Sequence, residues 1–301
     1  MKAAQFNQFG GPEVLEIAEL PDPHPAAGQI RVAVRAAGVN PVDWKMRQGM
    51  MGGELPQTTG REVAGVVDEL GDGVSDVVVG DRVFGFAAGG GGAAELALLT
   101  DYAAIPPSLD FAQAAGLPVA VETAVRTLDL LGVTKGSTVV INGAAGGVGQ
   151  AAVQIARNRG ARVIGTASEG NHEFLRSLGA EPTTYGDGLE QRLRELAPDG
   201  ADAALDASGG GALPALIALT GSPDRVVTIA DYQGAEETGA TFSGGMGEAR
   251  AVHALAEIAE PIEAGTFTLP VAQTFPLGEI AEAHRVSEDG HVRGKLVLLV
   301  S

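Results

Sequence analysis

A glycine-rich segment near the middle of the chain has the composition of a phosphate-binding loop. It follows a short β-rich run, 137–141, and reads Asn142-Gly143-Ala144-Ala145-Gly146-Gly147-Val148-Gly149. Small residues in such a loop let backbone N–H groups approach a diphosphate closely, and the N-terminus of the following helix favours negative charge. The pattern predicts a dinucleotide site formed by Ala144, Gly146, Gly147, Val148 and Gly149, with alanine in the place of the usual first glycine. A purely structural turn is the alternative.

A second indication of a nucleotide is Ser168, which stands where the next predicted strand, 162–166, ends. An NAD site normally carries Asp or Glu here, because the carboxylate holds the ribose 2′-hydroxyl. A small polar residue leaves room for a 2′-phosphate, so Ser168 and the nearby Asn171 favour NADPH. The turn 169–172 contains no lysine or arginine to pair with that phosphate. The alternative is that Ser168 only caps the turn.

The ionisable residues limit the chemistry available to the chain. Its 301 residues include no cysteine, which excludes disulfides, thiolate metal sites and cysteine nucleophiles. The five histidines show no metal-ligand spacing.

A formal charge of −18 disfavours nucleic acid and anionic membranes as partners. Because no apolar stretch reaches membrane-spanning length and the N-terminus does not resemble a leader, the sequence predicts a cytoplasmic protein.

The elements that must position these residues change in kind along the chain. The first hundred residues predict strands and turns, because runs such as 30–36 alternate apolar and polar side chains. Beyond Pro106 strands and helices alternate, and the apolar residues at 148, 151, 152, 155 and 156 form one helical face. Such alternation is typical of a parallel sheet built from βαβ units. The predicted class is α/β, a doubly wound Rossmann sheet together with a β-rich domain.

Five blocks of sequence carry a resemblance to a known family. They are Ala36-Ala37-Gly38-Val39-Asn40-Pro41-Val42-Asp43-Trp44-Lys45, Gly60-x-Glu62-x-Ala64-Gly65, Gly80-Asp81-Arg82-Val83, the loop 144–149 with Gln154-Ile155-Ala156, and Gly290-His291-Val292-Arg293-Gly294-Lys295. In order and spacing they resemble the zinc-free quinone oxidoreductase branch of the medium-chain dehydrogenase/reductase superfamily, over essentially the whole chain. The resemblance implies a GroES-like catalytic domain from residues 1–110 and 265–301, and a Rossmann NADP-binding domain from residues 111–264.

The resemblance also bears on metal. Zinc-dependent members of the superfamily carry a cysteine ligand where this chain has residues 40–43, and His-Glu where it has Arg61-Glu62. Without those ligands a tetrahedral catalytic zinc cannot assemble, so we expect no metal. Quinones and α,β-unsaturated carbonyls accept hydride from a reduced nicotinamide without a metal. Such acceptors need only orientation and a hydrogen bond or proton from the protein.

The resemblance assigns roles to individual residues. Asn40 matches a position that contacts the nicotinamide ribose. Lys45 matches a lysine near the substrate carbonyl, which could stabilise an enolate or relay a proton; the alternative is a solvated surface lysine. The further cofactor-binding candidates are Thr123, Tyr185, Ser208, Ile229 and Ala230, and beside Thr123 stands Glu122, where the family usually has an apolar residue. The candidates for the substrate pocket, each also a candidate for the core, are Trp44, Phe86, Phe242 and Met246.

These features predict an NADPH-dependent, zinc-independent oxidoreductase that acts on a small quinone or enone, and the resemblance implies a homodimer. A biosynthetic enoyl reductase acting on a natural-product intermediate is the second reading. A structural or regulatory protein that binds NADPH with little turnover is the third. The sequence does not identify the acceptor, because the segments 85–94 and 242–248 are glycine-rich and carry few polar groups that could select it.

Overall fold

Fifteen strands and eleven α-helices occur in the computed structural model, which describes residues 1–245 and 250–301. The strands are β1 (Lys2–Phe6), β2 (Leu15–Glu19), β3 (Ile30–Val39), β4 (Gln57–Thr58), β5 (Glu62–Leu70), β6 (Arg82–Ala87), β7 (Leu96–Ala104), β8 (Thr138–Asn142), β9 (Arg162–Thr166), β10 (Glu181–Thr183), β11 (Ala203–Asp206), β12 (Val226–Thr228), β13 (Thr241–Phe242), β14 (Val271–Pro276) and β15 (Lys295–Leu299). The α-helices are α1 (Pro41–Arg47), α2 (Phe111–Ala115), α3 (Pro118–Leu130), α4 (Gly147–Asn158), α5 (His172–Ser177), α6 (Leu189–Leu196), α7 (Leu213–Thr220), α8 (Tyr232–Thr238), α9 (Ala254–Glu257), α10 (Ala259–Glu263) and α11 (Ile280–Asp289).

One unit of the fold contains Met1–Val119, Leu255–Ala264 and Leu269–Ser301. Its main sheet has the strand order β14-β15-β3-β5-β6-β7, and β3 also pairs with β7, so that four strands close into a ring. A smaller sheet has the order β2-β1-β4. Alternate residues such as Val32 and Val34 point to one side of their strand and are buried in the core of this unit.

The other unit contains Ala120–Ala254 and Gly265–Thr268. Its six strands are all parallel, in the order β10-β9-β8-β11-β12-β13, so the sheet winds outward from β8 in two directions. The apolar run from Val139 to Ile141 is fully buried, because a central parallel strand is covered on both faces. This strand order is that of a doubly wound Rossmann sheet, and the predicted α/β class with a separate β-rich sheet is confirmed.

The helix α1 interrupts the part of the chain for which the sequence predicts only strands and turns. It begins after Asn40, with Pro41 in the first turn and Asp43 at the third helical position. The Asp43 carboxylate accepts the Asn40 backbone N–H at 2.8 Å, which closes a capping box. The prediction of strands and turns alone was wrong here, although Asn-Pro-x-Asp is a usable helix-start signal.

Candidate active site

The loop between β8 and α4 turns sharply at Gly143, which has φ +78°. A Cβ at this position would lie 2.6 Å from the Cβ of Ser208, so both the conformation and the space require glycine. Gly149, in the first turn of α4, has even less space for a side chain. A Cβ there would lie 2.2 Å from the carbonyl oxygen of Gly143. The helix therefore packs directly on the loop backbone, which only a glycine at position 149 permits.

Ala144, which stands in the place of the usual first glycine, has a space for its methyl group. The residue is fully buried, and its N–H donates to the Thr166 carbonyl at 2.9 Å. A Cβ on Gly165 of β9 would lie 2.8 Å from the Cβ of Ala144. The absence of a side chain at Gly165 therefore leaves the volume that Ala144 fills.

Gly146, which precedes the first residue of α4, has open space around it. A Cβ there would meet only the Gly143 carbonyl oxygen, at an ordinary contact distance of 3.5 Å. The first-turn N–H groups of Gly147, Val148 and Gly149 have no acceptor inside the helix, as at any helix start. Since the fold itself has no need of glycine at 146, the position suits close approach by a ligand. These residues fit the diphosphate of a nicotinamide dinucleotide.

A chain of hydrogen bonds, here called the strand-end network, crosses the carboxyl ends of β9, β8, β11 and β12. Thr166 donates to Asn142 Oδ1 at 2.5 Å, and Asn142 donates to Asp206 Oδ1 at 2.8 Å. Thr228 donates to Asp206 Oδ2 at 2.8 Å. All four side chains are at most 2% exposed. The network also accepts the backbone N–H groups of Gly143, Ser208, Gly209, Ala230 and Asp231.

The strand-end network holds the turns that carry three of the predicted cofactor residues, Ser208, Ile229 and Ala230. The Ile229 N–H also donates to the Asp206 carbonyl at 3.0 Å. In open α/β sheets, ligands bind outside the carboxyl ends of the strands, where the winding direction reverses. Here that reversal lies between β8 and β11, which Asn142 and Asp206 connect.

Ser168, Asn171 and Tyr185 lie beyond the carboxyl ends of the neighbouring parallel strands β9 and β10. Asn171 Nδ2 donates to Ser168 Oγ at 3.1 Å, which leaves the hydroxyl proton of Ser168 available to a ligand. The side chain of Tyr185 is 57% exposed. Arg192 donates to the carbonyl oxygens of Thr184, Tyr185 and Asp187, so it fixes this turn.

Thr123 is 8% exposed on α3, and its hydroxyl donates to Glu122 Oε2 at 3.4 Å. The structure explains Glu122, for which the sequence offered no role. Glu122 Oε1 accepts from Arg126 Nε at 2.8 Å and from the Ala251 N–H at 3.1 Å. Arg126 also donates to the Ser243 hydroxyl. A buried carboxylate needs such partners, because an unpaired buried charge is strongly destabilising. Through Ser243 and Ala251, this ion pair connects α3 to the chain on both sides of residues 244–250.

Asn40 is joined to two residues that sequence reasoning did not select, Glu62 and Lys295. Asn40 Nδ2 donates to Glu62 Oε1 at 2.8 Å, and Lys295 Nζ donates both to Glu62 Oε1 at 2.9 Å and to Asn40 Oδ1. Glu62 Oε2 accepts the Val119 N–H at 2.7 Å. All three side chains are at most 5% exposed. Glu62 and Lys295 stand in the family blocks, but their 233-residue separation gives no sequence signal of contact.

Asp43 of α1 is 2% exposed. Its Oδ2 accepts the Asn40 N–H, whereas Oδ1 has no hydrogen-bond partner among residues 1–245 and 250–301. Burial raises the pKa of Asp43 to about 7, although the hydrogen bond from Asn40 acts in the opposite direction. The carboxyl group can therefore hold a proton near neutral pH.

The remaining candidates are distributed over both units. Lys45 Nζ lies 5.7 Å from the centroid of the Trp44 ring, within cation–π range. Phe86 is half-buried on β6. Phe242, at the end of β13, is 37% exposed and meets Tyr232 edge-on with 5.2 Å between ring centroids. Met246 lies outside the described residues.

Across residues 1–245 and 250–301, no cluster of three or more His, Asp or Glu side chains is arranged to hold a metal ion. In the same ranges, every helix is too short or too polar to cross a bilayer.

Two family models match separate stretches of the chain. The model of the alcohol dehydrogenase GroES-like domain matches residues 26–107, and that of the zinc-binding dehydrogenase matches residues 170–298. The human quinone oxidoreductase is 32% identical over 100% of this chain and 98% of its own length. The chain belongs to the quinone oxidoreductase-like branch of the medium-chain dehydrogenase/reductase superfamily. Its quinone oxidoreductase relatives support an NAD(P)H oxidoreductase.

Other relatives of this quinone oxidoreductase-like chain match over a part of their own length. The quinone oxidoreductase of Rattus norvegicus is 42% identical over 60% of this chain, and the match spans 57% of the rat protein. The spectinabilin polyketide synthase system protein NorB of Streptomyces orinoci is 36% identical over 96% of this chain, which corresponds to 14% of NorB.

Solved structures support the same membership. The quinone oxidoreductase from Coxiella burnetii is 32% identical with a TM-score of 0.86, covering 100% of this chain and 99% of that one. A mycobacterial protein solved in complex with NADPH is 27% identical with a TM-score of 0.86, over 99% and 100% of the two chains. The CurK enoyl reductase is 26% identical with a TM-score of 0.86, over 100% and 99%.

Proposed function

We propose that this chain is an NADPH-dependent oxidoreductase that transfers hydride to quinones or α,β-unsaturated carbonyls without zinc. The observation that carries the proposal is the loop between β8 and α4. It stands at the carboxyl end of the central parallel strand, and Gly146 there has free space beside N–H groups that lack an acceptor. A loop of this kind accepts a diphosphate, and the oxidoreductases of this family use a dinucleotide.

The choice of NADPH is supported by the residues that follow β9 and β10. Ser168 stands where an acidic residue would exclude a 2′-phosphate, and its hydroxyl proton is available. Asn171 and the exposed Tyr185 add two further polar groups beyond the same strand ends. A neutral site of this kind admits a phosphate without charge repulsion, while an acid at position 168 would repel it.

The chemistry requires little of the protein beyond orientation and charge. A bound NADPH supplies the hydride. Lys45 donates a hydrogen bond to the acceptor oxygen or relays a proton to it, and the buried Asp43 carboxyl can store a proton near neutral pH. Asn40, held by Glu62 and Lys295, fixes the start of α1 and thereby positions Lys45.

The proposal of zinc-free chemistry rests on the residues at the superfamily's ligand positions. Arg61 stands in the place of the histidine ligand, and no cysteine is present anywhere in the chain. Both oxygens of Glu62 accept hydrogen bonds from Asn40, Lys295 and Val119. A guanidinium cannot ligate a cation, so this donor set does not fit a tetrahedral zinc.

Reduction of an enoyl thioester is a second candidate activity. It is favoured by the likeness of the whole chain to the CurK enoyl reductase. The hydride-transfer step is chemically the same, because an enoyl thioester is also an α,β-unsaturated carbonyl. The two activities differ in the size of the acceptor.

The test is a panel of quinones, alkenals, cyclic enones and enoyl thioesters, with NADPH oxidation followed by absorbance. We expect turnover with a quinone or an enone, and none with the matched Gly146→Val variant. Tight NADPH binding without oxidation by any acceptor would overturn the proposal in favour of a binding protein. Turnover confined to enoyl thioesters would select the second candidate.

A further inference from the structure

Arg61 is a partly buried cation whose only hydrogen-bond acceptor in the described chain is a sulfur atom. Its Nη2 donates to Met46 Sδ at 3.0 Å, and its buried Nε has no hydrogen-bond partner among residues 1–245 and 250–301. A thioether is a weak acceptor, and a buried N–H left unpaired is costly. Arg47 and Arg126 each reach a carboxylate instead, although Nε and Nη1 of Arg47 are also buried without a partner in the described residues. Arg61 is therefore kept at a cost that its contacts within the fold do not offset.

The backbone that carries Arg61 is fixed. The Arg61 carbonyl accepts the Ala87 N–H at 2.9 Å, and the Gly60 carbonyl accepts the Gly92 N–H at 2.8 Å. Gly60 has φ +93°, and a Cβ there would lie 2.4 Å from the Ala93 nitrogen. The guanidinium thus extends from a rigid base, which is the arrangement that a preorganised charge requires.

Two groups that interact with Arg61 belong to α1, the helix that also carries Lys45. Met46, its acceptor, lies on this helix. Asp43 Oδ1 and Trp44 Nε1, also on α1, are two further buried polar atoms without a partner in the described residues. Asp43 is close enough for the positive charge of Arg61 to lower its pKa against the larger effect of burial. Arg61 Nε and the neighbouring Asp43 Oδ1 thus keep hydrogen-bonding capacity that a polar ligand could use.

We propose that Arg61 binds the carbonyl oxygen of the hydride acceptor and stabilises the negative charge that reduction places on it. This inference rests on the proposed function, which supplies the acceptor class. A fixed guanidinium would then provide the electrostatic stabilisation for which zinc-dependent relatives use a metal.

Three electron pairs move when an enone is reduced. Hydride from the reduced nicotinamide forms a C–H bond at the β-carbon, the former C=C pair becomes the C=C of an enolate, and the C=O π pair moves to oxygen. Water or a protein acid then protonates the α-carbon, which yields the saturated carbonyl and the oxidised cofactor. Arg61 gives up no proton in this sequence, because a guanidinium stays charged and supplies only hydrogen bonds. For a quinone, the corresponding oxygen is that of the hydroquinone anion.

The first experiment measures binding without turnover. The probes are 4-nitrophenolate, which carries an oxyanion, and 4-nitroanisole, its neutral analogue of similar shape. Wild-type protein should bind the phenolate at least ~10-fold more tightly than the anisole. Arg61→Met should lose that preference and keep its affinity for the anisole. Arg35→Met, which removes an exposed arginine from β3 of the same unit, is the charge-matched control and should keep the preference.

The second experiment measures catalysis. Arg61→Met should lower kcat by ~10²-fold with little change in the KM for NADPH, as on removal of an oxyanion donor. Arg61→Lys keeps the charge but not the planar guanidinium. Its phenolate preference and its kcat should both lie between those of the wild type and those of Arg61→Met. The methionine should fold, because it replaces an unpaired charge beside Met46. Should it not fold, Arg61→Gln takes its place in both measurements.

The outcomes separate this inference from the proposed function. A phenolate preference that is absent from the wild type, or unchanged in Arg61→Met, overturns the role of Arg61. An Arg61-dependent preference in a protein that reduces no quinone or enone refutes the proposed function and leaves the anion site standing. If Arg61→Met reduces the acceptors at the wild-type rate, the proposed function stands and the role of Arg61 is refuted.

Discussion

Gly146 and Gly149 belong to one loop but meet different surroundings. A Cβ at 149 would come within 2.2 Å of backbone, whereas one at 146 would have free space. We expect Gly146→Val to abolish NADPH binding while the melting temperature is kept, because the added side chain occupies only the ligand's place. Gly149→Val should lose at least ~1–3 kcal/mol of stability through overpacking. Titration by nicotinamide fluorescence, together with thermal melts, measures both effects.

Each of the two glycine variants is the control for the other. If Gly146→Val bound NADPH like the wild type, the loop would be a structural turn, and the main support for the oxidoreductase proposal would be lost.

Ser168 is the residue that should decide between the two dinucleotides. We expect wild-type protein to bind NADPH at least ~10-fold better than NADH, a difference of about 1.4 kcal/mol. Ser168→Asp should shift the preference toward NADH, because a carboxylate repels the 2′-phosphate and accepts from the 2′-hydroxyl. Ser177→Asp adds the same charge at an exposed position on α5 and should leave the preference unchanged. Equal wild-type affinities for the two dinucleotides would mean that Ser168 does not read the phosphate.

The sequence supports predictions for single residues where their chemistry is local, and the phosphate-binding role of the loop stays such a prediction. Small residues in a turn between a strand and a helix indicate phosphate binding, because the requirement is set by neighbours in sequence. The cluster of Asn40, Glu62 and Lys295 could not be derived in this way, since its members are brought together only by the folded sheet. The same holds for Arg61. Its proposed role depends on its having only the Met46 sulfur as a hydrogen-bond acceptor within the described residues, which the sequence does not reveal.

At the scale of elements, α1 and α11 carry buried ionisable groups. Arg47 of α1 is fully buried and donates to Glu288 of α11, and His284 of α11 is 1% exposed. Burial, assisted by the charge of Arg47, lowers the pKa of His284 from 6.5 to about 3. The imidazole is therefore neutral in the folded protein over most of the pH range in which it would be charged in the unfolded chain.

His284 and Asp43 should make opposite contributions to the dependence of stability on pH. Between about pH 3 and 6.5 the unfolded chain binds a proton at His284 that the folded chain does not, so acid lowers stability. Asp43 acts oppositely: its pKa rises from 3.8 to about 7 on folding, so stability falls as pH rises between these values. From about pH 3.8 to 6.5 the two contributions oppose each other and nearly cancel in the wild type. His284→Gln should therefore leave stability falling as pH rises through this range, and Asp43→Asn should leave it rising. Urea unfolding as a function of pH measures both slopes.

The two variants again serve as controls for each other, because each keeps the contribution of the other group and the two remaining slopes have opposite signs. A slope that is identical in the wild type and His284→Gln would show that His284 is accessible to protons in the folded state.

Elements were predictable in proportion to the regularity of their pattern. The strands and helices beyond Pro106 follow clear periods, and β8, α4 and β9 lie where the sequence predicts them. The seven-residue α1 is too short to show a helical period, so only its capping residues could have revealed it.

At the scale of the whole molecule, alternation of strands and helices was sufficient to predict a parallel sheet, but not the partners of the last strand. β15 pairs with β3 and β14 in the β-rich unit, more than 200 residues along the chain from β3. Sequence pattern marks β15 as a strand without stating where it pairs. The family resemblance supplied that expectation.

The proposed independence from metal concerns the entire protein and is tested on it directly. Exhaustive dialysis against a chelator should leave both the activity and the melting temperature unchanged. The physical reason is that Arg61 and the fully bonded Glu62 stand where ligands would be needed. Stoichiometric zinc that is lost together with activity would refute the proposal, and the Gly146→Val protein treated in the same way provides a baseline for the melt.

The strand-end network has a consequence for how the free protein fluctuates. The amide protons of Gly143, Gly209 and Asp231 all donate to its side chains, so none can exchange with solvent until these hydrogen bonds part. Because the four buried side chains bond to one another in series, opening at one strand end removes the support of the next. The amides should therefore exchange slowly and at closely similar rates before any ligand is added. NADPH would then meet a binding edge already in its final form, with little ordering left to complete.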